Sequence, residues 1–224
     1  MITTLILDFD GLIIDTESPD YQSWLEVYHE LGAELPLAVW AECIGRAWSS
    51  FDPLEYLEQQ LGLLPNRDEI RALRRQRYLE MVDLQPVLPG ILEYINQAHS
   101  SGMRVAIASS SPHRWVDRHL QVRGISELFD VIICAEDAEK SKPSPDLYLA
   151  ALAALGISAT EAIAFEDSPN GITSARAAGI YCVAVPNPMT VNLNLEHADR
   201  LIPSLAAIGL DELIAQMIPP ASCR

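Results

Sequence analysis

Residues 5–11 read Leu5-Ile6-Leu7-Asp8-Phe9-Asp10-Gly11, an apolar run that ends in two carboxylates and a glycine. The apolar part is continuous rather than alternating, which is typical of a strand buried on both faces of a parallel sheet. Similar runs follow at residues 105–108, 131–134, 162–165, 181–185 and, more weakly, 201–202. Helical patterns separate most of these runs, and the alternation predicts an α/β fold with a doubly wound parallel sheet.

Serine–proline pairs and single glycines mark the predicted helix boundaries. A serine hydroxyl can cap the free N–H groups at a helix start, and proline suits the first turn. A glycine suits the position just after a helix, where left-handed backbone is common. The expected starts are Ser18-Pro19, Ser111-Pro112, Ser144-Pro145 and Ser168-Pro169, and the expected ends are Gly102, Gly124, Gly156 and Gly179.

One long interval breaks the alternation of strands and helices. More than ninety residues, almost all helical in pattern, separate the first apolar run from the second. Because a crossover between parallel strands needs only one helix, we expect an inserted cap of four helices at residues 16–85. The α/β core domain then comprises residues 1–15 and 86–224. An insertion after the first strand lies above the carboxyl ends of the strands, where open α/β sheets bind ligands.

Composition narrows the classes of partner. The chain has 224 residues with 31 acidic and 15 basic side chains, a formal net charge of −16, and 49% hydrophobic residues. Such an acidic chain argues against nucleic-acid and anionic membrane partners, which are recognised by an excess of Lys and Arg. The N-terminus has no basic flank, and the four cysteines are scattered and fit reduced thiols. We therefore expect a monomeric cytoplasmic protein.

The first candidate site residues are Asp8 and Asp10. Neighbouring residues of a strand point to opposite faces, so these two carboxylates share a side and can converge on one metal ion or phosphoryl group. Gly11 would let the backbone approach a ligand closely. Taken alone, an Asp-x-Asp pattern is weak evidence and is more often an ordinary capped turn.

Polar side chains also follow the later predicted strands. Ser109 and Ser110 come just before a helix and could form an anion cradle, Lys142 precedes another helix, and residues 166–167 are a second acidic pair. Each of these also fits a solvated cap or a surface residue. Their conjunction at one edge of one sheet favours a phosphoryl site with Mg²⁺, because hard oxygen ligands without a His or Cys cluster suit that ion.

This set of motifs resembles the haloacid dehalogenase superfamily of phosphoryl-transfer enzymes, in the branch with a helical cap after the first strand. Residues 8–17 match its first motif, Ser109 its second, Lys142-Pro143 its third and residues 166–171 its fourth. The order and context of the motifs make the set far more specific than any one member. In this superfamily an aspartate at position 10 indicates phosphoryl transfer rather than dehalogenation.

The resemblance implies a role for each residue. Asp8 would attack phosphorus and form an aspartyl phosphate. Asp10 would protonate the leaving oxygen and then deprotonate the attacking water. Ser109, the Ser110 backbone and Lys142 would hold the phosphoryl oxygens. The implied Mg²⁺ ligands are Asp8, the backbone carbonyl of Asp10, Asp167 and, as an outer partner, Glu166.

In this superfamily the cap usually selects the substrate. The residues at positions that the β-phosphoglucomutase-like group uses for its substrate are Thr16, Trp24, Gly45, Arg46 and Arg74. Four arginines also fall within residues 71–77, and three of them, Arg71, Arg74 and Arg75, share a helical face. This face fits either a patch for an anionic substrate or an ordinary solvated surface.

One departure from the mutases favours hydrolysis. The mutases have a histidine in the linker that enters the cap, whereas this sequence has Asp20 there. We expect a Mg²⁺-dependent phosphatase that acts on a small phosphorylated metabolite, with a sugar phosphate as the first candidate. The alternatives are a phosphosugar mutase of the β-phosphoglucomutase type and a non-catalytic binding protein on the same scaffold.

Overall fold

The computed structural model describes residues 1–40, 51–64 and 66–217. Within these ranges six strands form one sheet in the order β3-β2-β1-β4-β5-β6, and every neighbouring pair is parallel. The strand order reverses direction at β1, which confirms the predicted doubly wound α/β fold. The strands are β1 (Thr4–Leu7), β2 (Arg104–Ala108), β3 (Val131–Ile133), β4 (Ala162–Glu166), β5 (Tyr181–Ala184) and β6 (Arg200–Leu201).

Helices α1 to α4 lie between β1 and β2, and α5 leads into β2. The helices are α1 (Glu17–Glu30), α2 (Leu37–Trp40), α3 (Pro53–Leu61), α4 (Arg67–Asp83), α5 (Ile91–Ser100), α6 (His113–Val122), α7 (Asp146–Leu155), α8 (Pro169–Ala177) and α9 (Leu210–Met217). No helix in the described ranges is long and apolar enough to cross a bilayer.

Only one of the four expected serine–proline starts was right. Ser168 caps α8, since its Oγ accepts a hydrogen bond from the Gly171 N–H at 3.2 Å. The Ser111 hydroxyl instead donates to Asp10 at 2.5 Å, and α6 begins without a side-chain cap. The actual starts are Glu17 for α1 and, one residue after the prolines, His113 for α6 and Asp146 for α7. The four predicted glycine ends were right, and each of these glycines has a positive φ.

The sheet separates two apolar layers, because alternate residues of each strand point to opposite sides. Leu5 and Leu7 face a layer that contains residues of α5, α6 and α9, whereas Ile6 faces a layer that contains residues of α7 and α8. All three side chains are fully buried. The two faces hold β1 at the centre of the molecule, and they place the residues that follow it at the middle of the sheet edge.

Helices α1 to α4 have an apolar cluster of their own. It includes Tyr28 and Leu54, both fully buried, together with Trp24 and Trp40. The segments that enter and leave this helical unit meet at Ile14, which forms isolated β-bridges with residues 10 and 87. The helical unit is therefore connected to the sheet by two chain segments that lie side by side. Its identification as a domain with limits at residues 16 and 85 stays a prediction.

Candidate active site

Asp8 lies at the first position beyond β1, between β2 and β4. Its N–H donates to the Phe165 carbonyl at 3.0 Å, which adds one hydrogen bond to the pairing of β1 with β4. The side chain is nearly buried, and its Oδ1 accepts a hydrogen bond from Lys142 Nζ at 2.5 Å. A carboxylate is thus fixed at the centre of the sheet edge with a cation directly against it.

Lys142 joins two acidic residues from neighbouring strand ends. Its Nζ lies 2.7 Å from Glu166 Oε1, and the Tyr148 hydroxyl donates to the same oxygen at 2.5 Å. Burial disfavours the charge of this lysine, but the carboxylates of Asp8 and Glu166 outweigh that effect and raise its pKa. Lys142 therefore stays protonated at the end of the sheet.

Three buried carboxylates lie close together here, and two of them contact Lys142. One oxygen from each of Asp8, Glu166 and Asp167 lies within 4.8 Å of the others. Burial raises the pKa of Glu166 and of Asp167, and the charge of Asp8 adds to the shift in both. Glu166 Oε2 is buried and has no hydrogen-bond partner among the described residues. A hard divalent cation fits this donor set, because it would offset the uncompensated negative charge.

Two glycines leave space for the acidic side chains. A Cβ on Gly11, whose φ is +78°, would lie 2.3 Å from Asp167 Oδ2, and one on Gly171 would lie 1.8 Å from Glu166 Oε2. Any side chain at either position would push a carboxylate out of place. Asn187 completes the arrangement, since its Nδ2 donates to Asp167 Oδ2 at 2.7 Å and to the Gly11 carbonyl at 3.1 Å.

Asp10 is held by two donors from the segment that follows β2. The Trp115 indole N–H donates to Oδ1 at 2.8 Å, and the Ser111 hydroxyl donates to Oδ2 at 2.5 Å. Burial raises the pKa of Asp10 even though both hydrogen bonds act to lower it, and the nearby charge of Asp8 adds to the rise. A carboxyl group that keeps its proton longer than usual is suited to act as an acid.

The predicted serine cradle lies beside Asp10. Ser109 is fully buried, and its backbone N–H already donates to the Ile133 carbonyl at 2.9 Å. Its Oγ accepts from the Ser111 N–H at 3.0 Å, and Ser110 is exposed. The structure thus brings Ser109, Ser110 and Lys142 to the same sheet edge as the acidic residues.

A cleft of about 690 Å³ opens between this edge and the helical unit. The side chains on the helical side include Glu17, which has a pKa raised to about 7 by burial and by the charge of Asp10. The lining also includes Thr16, Asp20, Arg75 and Tyr78 from the helical side, and Asp10, Ser110, Ser111, Arg114, Trp115 and Arg118 from the core.

The residues expected to bind substrate do not all line the cleft. Thr16 lines the cleft, whereas Trp24 is buried in the apolar cluster of the helical unit. Arg74 forms an ion pair with Asp20, and its guanidinium lies 5.3 Å from the centre of the Trp24 ring. Burial lowers the pKa of Arg74 to about 10. Trp24 and Arg74 are not lining residues of the cleft, and Gly45 and Arg46 lie outside the described residues.

The arginine-rich face of α4 is mostly paired with acids. Arg71 lies 3.6 Å from Asp52, and Arg77 lies 2.7 Å from Glu30. Arg75 is exposed, lines the cleft and makes no hydrogen bond or ion pair in the described ranges; the same is true of Arg114 on α6. The sequence pattern placed Arg71, Arg74 and Arg75 on one face of α4, and of these three only Arg75 lines the cleft.

This chain is similar to known proteins over most of its length. A family model for haloacid dehalogenase-like hydrolases matches residues 5–185. YhcW of Bacillus subtilis (strain 168) is 44% identical over 220 residues, covering 96% of this chain and all of that one. Hexitol phosphatase B of Escherichia coli (strain K12) is 30% identical over 95% of this chain and 97% of that one. A mutant CbbY from Rhodobacter sphaeroides, solved in complex with xylulose-1,5-bisphosphate, has a TM-score of 0.75 and 27% identity over 95% of this chain and 99% of that one.

Proposed function

Because the chain belongs to the haloacid dehalogenase-like hydrolases and is a phosphatase of that family, we propose that it hydrolyses a small sugar phosphate with the help of Mg²⁺. The reaction would pass through an aspartyl phosphate on Asp8. The observation that carries this proposal is the buried cluster in which Asp8 meets Lys142 at 2.5 Å and lies beside two further carboxylates.

In the proposed reaction Asp8 attacks the phosphorus atom through a carboxylate oxygen, and the bond to the leaving oxygen breaks. Lys142 holds Asp8 and offsets the repulsion between the carboxylate and the phosphoryl group. Asp10 gives a proton to the leaving oxygen and then takes one from the water that hydrolyses the aspartyl phosphate. Ser109 and the backbone of Ser110 complete the phosphoryl cradle.

The residues present fit a bound Mg²⁺. We propose Asp8, the backbone carbonyl of Asp10 and Asp167 as its ligands, with Glu166 as an outer partner. When bound, the ion would supply positive charge that stabilises the phosphoryl oxygens in the transition state. Asn187 and Gly11 support this role, because together they hold Asp167 in place. Removal of the ion is therefore expected to stop turnover without unfolding the protein.

The walls of the cleft support a small anionic substrate. Its volume of about 690 Å³ is in the range of sites for small molecules. Arg75 and Arg114 line opposite walls and have no acidic partner in the described chain, so both are free to meet an anionic ligand. Hexitol phosphatase B is a relative named for hexitols, and the CbbY mutant was solved with xylulose-1,5-bisphosphate bound. We further propose that residues 16–85 close over the substrate as a lid.

The test is phosphate release from a panel of sugar phosphates and other small phosphates, with Mg²⁺ or with EDTA. We expect turnover of one class of compound that EDTA abolishes and that added Mg²⁺ restores. Acid quenching followed by mass spectrometry should find one added phosphoryl group on the peptide that contains Asp8. Turnover that persists in EDTA, or a phosphoryl group on another residue, would contradict the proposal.

A phosphosugar mutase is the alternative outcome of the same panel. It requires conversion of a hexose 1-phosphate to the 6-phosphate with a bisphosphate activator, which a coupled assay detects. In this chain Asp20, in the first turn of α1, stands where the mutases have a histidine and pairs with Arg74, and this favours hydrolysis. A monomeric state and a cytoplasmic location stay predictions, and size-exclusion chromatography with light scattering tests the first.

A further inference from the structure

Trp115 lies between the carboxyl group of Asp10 and helix α4. Its indole N–H donates to Asp10 Oδ1 at 2.8 Å. Its ring is nearly parallel to that of Tyr78 in α4, with an angle of 7° and 5.7 Å between ring centroids. One side chain therefore contacts the expected acid of the reaction and the helical unit that covers the cleft.

Two further contacts hold this arrangement in place. The buried His119 ring meets the Trp115 ring edge-on, with 4.2 Å between centroids. On the helical side, the Arg74 guanidinium lies 4.8 Å from the centre of the Tyr78 ring and also pairs with Asp20. The indole thus has neighbours both in its own helix and across the cleft, which limits its freedom to rotate.

The chemistry of the indole makes its hydrogen bond selective. An indole N–H is a donor only, so it can pair with a carboxylate oxygen but cannot accept a proton from a carboxyl group. Ser111 and Thr16, which also hydrogen-bond to Asp10, carry hydroxyls that rotate and can act as donor or acceptor. The contact from Trp115 therefore has a fixed direction, with Asp10 Oδ1 as the acceptor.

We propose that Trp115 is a positioning residue for Asp10, and that Tyr78 holds the indole in place from the helical unit. The proposal rests on the proposed function, in which Asp10 moves protons. A group that moves protons loses efficiency steeply when it is misplaced by about 1 Å, because hydrogen-bond reach is short. Asp10 is then correctly oriented only while α4 is packed against α6.

The first test removes the indole N–H but keeps an aromatic ring. We expect Trp115→Phe to lower kcat for a sugar phosphate roughly 10- to 100-fold while KM changes by less than about twofold. Trp40→Phe is the matched control, because the buried Trp40 N–H has no hydrogen-bond partner among the described residues. It should leave kcat unchanged. A rise in KM with kcat intact in Trp115→Phe would overturn the proposal.

The second test separates positioning from general damage to the site. An alkyl leaving oxygen needs a proton, whereas 4-nitrophenolate leaves without one. In the first turnover, Trp115→Phe should therefore slow cleavage of the sugar phosphate much more than that of 4-nitrophenyl phosphate. Equal losses on both substrates would count against positioning.

The third test asks whether Tyr78 acts through the indole. Tyr78→Leu should lower kcat in the wild-type background and have little further effect when Trp115 is already Phe. Additive losses would overturn this part of the proposal.

A final measurement does not depend on activity. The indole ¹H–¹⁵N signal of Trp115, assigned as the one missing in Trp115→Phe, should shift in Asp10→Asn. An unchanged signal would overturn the proposal whatever the kinetics show. If the wild-type protein released no phosphate from any substrate, the proposed function would fail, and this signal would still decide whether Trp115 holds Asp10.

Discussion

The two sides of the cleft differ in how firmly their side chains are held by neighbouring residues. On the sheet edge the side chains are buried and bonded to one another, as the contact of Lys142 with both Asp8 and Glu166 illustrates. On the helical side, Arg75 is exposed and makes no hydrogen bond or ion pair within the described ranges, whereas Arg74 packs against Trp24 and pairs with Asp20. The sheet edge is preorganised before a substrate arrives, and the helical side leaves one arginine free for it.

This difference suggests a division of labour. The sheet edge carries groups that any phosphate ester would need, because they act on the phosphoryl group itself. In the proposed function, the helical side contacts the rest of the substrate. Substitutions at the sheet edge should therefore stop turnover of every substrate, and those on the helical side should change which substrate binds well.

The largest effect is expected at the centre of the sheet edge. Asp8→Asn keeps the size of the side chain and its place beside Lys142 but removes the carboxylate that we propose as the nucleophile. We expect phosphate release to fall at least about 10³-fold on every substrate. Circular dichroism should show an unchanged fold. Asp211→Asn, an exposed change in α9, is the control, and activity of Asp8→Asn near that of wild type would refute the assignment.

The next effect concerns stability rather than rate. Lys142→Met leaves three buried carboxylates without their cation, and breaking a buried pair in this way costs about 3–5 kcal/mol. We expect that loss in the free energy of unfolding in urea with EDTA, and a smaller loss with saturating Mg²⁺. Lys140→Met changes an exposed lysine two residues away and should stay within about 0.5 kcal/mol of wild type. Equal stability of the two variants would show that Lys142 does not offset the cluster.

A third prediction probes the junction between the two sides. His119 is fully buried beside Asp83 at the end of α4, and burial, with the charges of Arg118 and Arg123, lowers its pKa to about 4 from 6.5. Below pH 6.5 the unfolded chain takes up a proton that the folded histidine does not, so the folded state loses stability as the pH falls towards 4.

The measurement compares this loss with that of a variant that lacks the histidine. Between pH 7 and pH 5 the free energy of unfolding of wild type should fall by about 2 kcal/mol more than that of His119→Gln. His99→Gln removes an exposed histidine and should follow wild type. Parallel pH profiles for wild type and His119→Gln would mean that His119 does not remain neutral in the fold.

The smallest effect is expected on the helical side. Arg75→Gln should raise KM about 3- to 10-fold for the anionic substrate with little change in kcat, because it removes an exposed charge from the cleft wall. Added salt should weaken the difference. Arg71→Gln, a change in the same helix that breaks the ion pair of Arg71 with Asp52, is the matched control and should leave KM unchanged. A similar rise in both variants would indicate a general effect of charge.

Sequence reasoning was strongest where strands end. Asp8, Lys142 and residues 166–167 were all expected at one edge of the sheet, and the structure brings them together. Parallel strands with continuous apolar runs leave little choice of register, and the chain must leave each strand at the same edge. Asn187 follows β5 at this edge as well, but it was overlooked because a single amide after a strand resembles an ordinary turn.

Sequence reasoning failed where helix faces decide the outcome. Trp115 reads as an apolar residue of α6, and nothing in its neighbourhood indicates a hydrogen bond to a residue more than a hundred positions away. Arg74 and Arg75 are adjacent in the chain, yet one lies against Trp24 and the other lines the cleft. Neighbouring residues of a helix point about 100° apart. The rotation of α4 about its own axis therefore decides which of the two arginines faces the cleft.

The sequence by itself determined the α/β sheet, the position of the helical unit after the first strand and the set of acidic and basic groups at the strand ends. These features can be read from the sequence because buried strands, and the polar residues that follow them, are local patterns. A parallel arrangement of the strands satisfies all of these patterns at once. Only the tertiary structure decided that Trp115 meets Asp10, that Tyr78 stacks on Trp115 and that Arg75 faces the cleft. Those contacts depend on how α4 and α6 pack across the cleft, and packing between distant helices has no signature in either helix alone.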